Sequence, residues 1–109
     1  MASEQNDLNT KRLELHSKLV TLLGSNNVYF QPSESVKITY PAIIYERYDI
    51  PIINADNLNY LIRCKYKVTV VDNIANNAIV DRMSKFPTAK FNRHYIADHL
   101  SHDVFMIYY

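Results

Sequence analysis

The densest group of chemically competent side chains lies near the C-terminus, in RHYIADHLSHDVFMIYY, Arg93 to Tyr109, where His94, His99 and His102 stand among Asp98 and Asp103. Imidazole and carboxylate are metal ligands, and histidine titrates near neutral pH, so such a set could hold a divalent cation or move a proton. The spacing is poor for either task. His99 and His102 would share a face only on a helix, and Ser101, His102 and Asp103 lead straight into an apolar strand. The pattern therefore favours a connection in which Asp98 and Asp103 cap a turn and the histidines lie at the surface or at an interface. A small metal-dependent enzyme using Asp98, His99, His102 and Asp103 is the competing reading.

Other reactive groups fare less well. Cys64 falls mid-strand on the apolar side of an alternation, where a thiol packs as a small hydrophobe. In RCKYK, Arg63, Lys65 and Lys67 share one strand face and Tyr66 points the other way, so the aromatic cannot serve a single-strand-binding platform on the basic side; a solvated or inter-subunit basic face fits better. The nine tyrosines suit either an amphipathic sheet or interfaces, where a ring with a hydrogen-bonding tip is favoured. No Ser-His-Asp order, carboxylate pair or nucleophile elbow is visible. One glycine in the chain leaves nothing from which to build a glycine-rich phosphate loop. No catalytic residue, cofactor or metal site is assigned, and the expectation is a protein that is not an enzyme.

These side chains must be held by a fold, and 109 residues fit one domain with one core. A composition 48% hydrophobic and 21% charged is that of a folding chain. The formal net charge of +1 creates no field that would hold nucleic acid by counterion release. A single cysteine excludes an internal disulfide and a CxxC zinc cluster, in keeping with a reducing cytosol. The polar start MASEQNDLNTKRLEL has no apolar signal core, and no run approaches a membrane span, so a soluble protein without a membrane partner is expected. Residues 1–6 are expected to be flexible.

The periodicities predict an α+β fold in one domain over 1–109: a mixed, mostly antiparallel sheet flanked by two helices, in the order α-β-β-β-α-β-β. Leu8, Leu15, Leu19, Leu22 and Leu23 fall on one side of a helix from Asp7 to Leu23, opposite Glu14, Ser17, Lys18 and Thr21; Asn6 or Asp7 caps its start and Gly24 ends it. NVYF is a short strand, and YPAIIYERYDI reads as a second, with Pro41 marking its start or an edge. PIINADN, 51–57, combines turn-forming types and reads as a loop, unusually apolar through Ile50, Ile52 and Ile53. Tyr60, Ile62, Cys64, Tyr66, Val68 and Val70 alternate with a largely basic set along one strand to Asp72. About 12 residues at roughly 3.3 Å would make it close to 40 Å long, so its hairpin with the preceding strand would project from the body. A second helix runs from about Ile74 to Phe86, with Ala75, Ile79, Met83 and Phe86 inward, and Pro87 ends it. TAKFNRHYI and DVFMIYY are the last strands, and the final one, apolar on both faces, belongs in the sheet interior or under cover on both sides.

Three phrases, LLGSNNVYFQPSESVKITYPAIIYER, RCKYKVTVVD and FNRHYIADHLSHDVFMIYY, together resemble a family of small structural proteins of tailed bacteriophages of Gram-positive hosts, the tail terminators, also called tail completion or head-to-tail joining proteins. The likeness covers most of the chain beyond the first helix and is one of texture, without a catalytic signature. It implies an α+β fold and a ring of six copies in the virion neck. That ring caps the head-proximal end of the tail tube, stops its polymerisation and meets the head-tail connector or stopper protein. Genomic DNA would pass through it without sequence-specific binding, and assembly would take place in the host cytoplasm. The physical reading gives a ring a reason: a projecting hairpin and a two-faced apolar strand leave surface that a self-closing heterologous interface can bury. On this reading Ile50, Ile52, Ile53, Asn54, Asp56 and Asn57 reach a neighbour or the tube, Arg63, Lys65 and Lys67 make inter-subunit salt bridges, and Arg93, His99 and His102 lie at or near an interface. A head-side adaptor or stopper would explain the same composition.

Overall fold

A computed structural model describes residues 7–49, 52–55, 58–62, 64–74 and 77–109, with side chains described over 9–49, 64–74 and 77–109. Helix α1 spans Asp7–Leu23 and buries Leu15, Leu19 and Leu23, one residue per turn along a single stripe. Glu14, Ser17, Lys18 and Thr21 stay exposed. Gly24 closes the helix at φ +86°, its N–H donating to the Val20 carbonyl at 2.8 Å, a left-handed C-terminal cap that suits glycine. The capping role expected of Asn6 or Asp7 lies outside the described side chains.

The main sheet has five strands in the order β1-β2-β5-β7-β6. β1 (Val28–Phe30) runs parallel to β2 (Ala42–Asp49), which pairs antiparallel with β5 (Lys65–Asp72). β7 (Leu100–Tyr108) lies antiparallel between β5 and β6 (Lys90–Ala97). The α+β class, the mixed and mostly antiparallel sheet and the order α-β-β-β-α-β-β all hold for this sheet and its two helices. The interior position expected for the last strand holds too.

Three segments differ from the sequence reading. The run 51–57, expected as a loop, contains strand β3 (Ile52–Ala55), paired antiparallel with β4 (Leu58–Ile62) in a separate two-stranded sheet. β-Branched Ile52 and Ile53 favour the strand, and the register shift falls beyond Ile53, where Asn54 interrupts them. The long strand expected from Tyr60 to Asp72 is two strands: β4 pairs with β3, and β5 with β2 and β7. Alternation keeps its phase across that joint and so cannot reveal it. The second helix is shorter than expected, α2 (Ala78–Ser84). Asp72 accepts from the Asn73 N–H and from Asn77 Nδ2, both at 2.7 Å, and Asn77 Oδ1 accepts from the Val80 N–H at 3.0 Å. These bonds tie Asn77 to the end of β5 and start the helix at that cap. Ile79 and Met83 point inward as expected, Phe86 partly so, and Ala75 lies outside the described residues.

One face of the sheet carries the helices. Ile43, Tyr45, Tyr66, Val68, Val70, Phe105 and Ile107 meet Leu15, Leu19, Ile79 and Met83 in a single core that also takes in Cys64, as the alternation of β5 implied. α1 packs beside β1, β2 and α2, and α2 beside β7. The helix layer stops there, leaving β6 without one. Among the described residues no helix is long and apolar enough to cross a membrane.

Candidate functional site

The histidine cluster is divided by the hairpin that carries it. β6 and β7 turn over through Asp98 and His99, at φ +54° and +65°, two left-handed residues of the type that closes a tight hairpin. Asp98 thus serves the turn as expected; Asp103 does not. It lies in mid-strand on β7, 5% exposed and directly opposite His94, whose Nδ1–H donates to Oδ1 at 2.8 Å. His102 is one residue along the strand, so it projects from the other face, where its ring stacks on Tyr95 at 4.6 Å between centroids. Its Nδ1–H donates to the Leu100 carbonyl at 3.1 Å. His99 occupies the tip. Strand alternation thereby sends the proposed ligands in three directions, and among the described residues no group of three or more His, Cys, Asp or Glu is placed to hold a metal ion.

An imidazole held by a buried carboxylate is oriented for proton transfer. What surrounds His94, however, is exposed apolar surface. Phe91, 56% exposed, and Ile96, 70% exposed, flank it on the helix side of β6, beyond the end of the helix layer. The other face of β6 carries Lys90, Arg93 and Tyr95, with the Arg93 guanidinium 5.1 Å from the Tyr95 ring centre. Among the described residues β6 is an edge strand, paired on one side by β7. The sequence marked Arg93 but missed Phe91 and Ile96, because an alternating strand looks the same whether or not its apolar face is covered.

The basic face of β5 lies over the second face of the sheet. Lys67 is opposite Glu46 and Lys65 opposite Asp49 on β2, and the Lys65 ammonium sits 5.4 Å from the Tyr48 ring centre and 5.8 Å from that of Tyr108. Both lysines therefore have acidic neighbours within the chain. A cleft of about 500 Å³ opens on the other side, between Lys11 and Lys18 of α1 and the segment Phe86–Thr88, with Tyr108 and Tyr109 on its wall. Tyr109 donates to Glu14 Oε1 at 3.2 Å, and burial followed by that carboxylate raises its pKa above the usual phenol value.

Of the residues singled out for an interface, Ile50, Asp56, Asn57 and Arg63 lie outside the described residues. Ile52, Ile53 and Asn54 lie on β3, their side chains undescribed. Lys65 and Lys67 are on β5, Arg93 on β6, His99 at the turn and His102 on β7. The structure brings Arg93 and His102 together through Tyr95 and places the β3–β4 ribbon in its own sheet. Comparison with protein-family models, with curated proteins and with solved structures finds no match.

Proposed function

We propose that this chain is a structural virion protein of a tailed bacteriophage, a tail terminator that closes into a ring, of six copies by the family resemblance, at the head-proximal end of the tail tube. The observation that carries the assembly part is the uncovered β6 edge: unpaired backbone on one side and Phe91 and Ile96 exposed on a strand the helices do not reach. Exposed apolar edges invite pairing with another chain. A heterologous joint that closes on itself buries every such edge at a finite copy number, which is what a cap on a growing tube requires. The phage and tail parts come from the sequence texture. The ring contacts the tube on one side and the head-tail connector on the other, and DNA passes through its lumen without base-specific contacts.

The test is solution mass by light scattering, with and without purified tail-tube protein, followed by negative-stain imaging. Rings of about six copies, alone or only on tube ends, support the reading. A persistent monomer that ignores the tube removes it. Mass gain with the head connector but not the tube moves the chain to the head side of the neck.

A further inference from the structure

We propose that the ring joint is an antiparallel pairing of β6 on one copy with the outer stretch of β2, Glu46–Asp49, on the next, Lys90 facing Asp49 and Arg93 facing Glu46. This deepens the assembly reading above and rests on it.

Two sheet margins meet in this joint. β1 pairs only with Ile43–Tyr45 of β2, so among the described residues Glu46–Asp49 has a strand on its β5 side alone; the Arg47 N–H donates instead to Gln31 Oε1 at 3.2 Å, a side-chain contact that the joint displaces. Among the described residues β6 has no strand along the opposite margin of the same sheet. Direction fits as well. Each step from β2 through β5 and β7 to β6 is antiparallel, so β6 runs against β2, and a neighbour set beside β6 in the same orientation offers an antiparallel partner.

Spacing and face match. Lys90 shares a cross-sheet row with Met106, Lys67 and Glu46, and Arg93 shares one with Val104, so both cations lie on the face of Glu46. Glu46 and Asp49, opposite Lys67 and Lys65, also share that face although three residues apart, because the register shifts between Arg47 and Asp49. Lys90 and Arg93 are likewise three apart, with a shift between Phe91 and Arg93. A bulge on each strand thus gives both edges the same two-charge ruler, of opposite sign. Between the charges lie Phe91 and Tyr48, the latter 58% exposed.

The register of β6 against itself that is centred between Lys90 and Arg93 sets those two cations opposite one another, and like charges directly opposite are destabilising. The charges disfavour that two-fold register and favour the head-to-tail joint, and only a head-to-tail joint builds a ring of more than two copies. Lysine and a bulge can also serve simply to blunt an edge against pairing; in that case the protein stays monomeric.

Two charge-reversed variants test this. One carries Lys90→Glu and Arg93→Glu, the other Glu46→Lys and Asp49→Lys, and circular dichroism confirms that both fold. Each alone is expected to lose ring mass, and an equimolar mixture to regain it, because every joint in an alternating ring then pairs opposite charges. Variants that assemble like the wild type overturn the joint and leave the ring reading standing. Folded variants whose mixture stays monomeric overturn it as well. Wild-type protein that never exceeds monomer mass, alone or on tubes, removes ring and joint together. A measurement without variants is carbodiimide coupling of assembled wild-type protein: a Lys90–Asp49 crosslink joins opposite margins of one sheet, so its recovery from rings and not from monomer is the expected result, and its absence from rings overturns the joint.

Discussion

Asp103 and His94 stand directly opposite one another on β7 and β6, joined at 2.8 Å, the carboxylate buried and the imidazole partly exposed. The pair anchors an edge strand beyond the helix layer, and it accounts for a buried acidic residue next to the apolar run Val104–Ile107 of the final strand. Removing His94 leaves a buried carboxylate without this partner. His94→Ala is expected to cost about 1–3 kcal/mol, and His94→Ala with Asp103→Leu together less than the two single changes combined. Urea melts of the four proteins check the coupling.

Leucines of α1 differ by position. Leu15 and Leu19 are fully buried, whereas Leu13 is 51% exposed. Leu19→Ala is expected to cost about 2–5 kcal/mol, and Leu13→Ala within about 0.5 kcal/mol of nothing. The same melts separate them.

Stability should fall on mild acidification through His16. Burial, followed by the neighbouring Arg12 guanidinium, lowers its pKa from 6.5. Its Nδ1 lies 2.8 Å from the Tyr45 hydroxyl, and Arg12 donates to that hydroxyl at 3.4 Å, leaving the phenol proton for the neutral imidazole. Below pH 6.5 the unfolded chain takes up the proton first, so the contribution is complete above 6.5 and is lost as pH falls through the lower folded value. His16→Gln should flatten the dependence of the urea midpoint on pH over that window.

Asn77 caps α2 and also bonds Asp72. Asn77→Ala is expected to destabilise by about 1 kcal/mol, with Asn77→Asp retaining the cap bond but not the donor to Asp72. Thermal melts should rank Asp between Asn and Ala.

The turn offers a gain. His99 sits at φ +65°, a conformation that costs a non-glycine residue about 1–2 kcal/mol. His99→Gly is expected to raise stability by up to about 1 kcal/mol, offset in part by unfolded-chain entropy. Thermal melts check this: a fall in stability would mean that the added unfolded-chain entropy outweighs the relief of the left-handed backbone at this position.

The periodic features are legible along the chain: the α1 stripe ending at Gly24, the buried side of Cys64 and of Tyr66, Val68 and Val70 on β5, and the interior place of the last strand. These follow from side-chain period and backbone permission, which are local. The remaining features come from contacts between distant segments. Asp103 reads as a turn residue until β6 sets His94 opposite it. The strand from Tyr60 reads as continuous because alternation carries no record of which sheet a strand joins. Phe91 and Ile96 carry no local mark of exposure; they are uncovered because the helix layer ends one strand short of them. Coverage, partner and register depend on residues far apart in the chain, so no local pattern contains them.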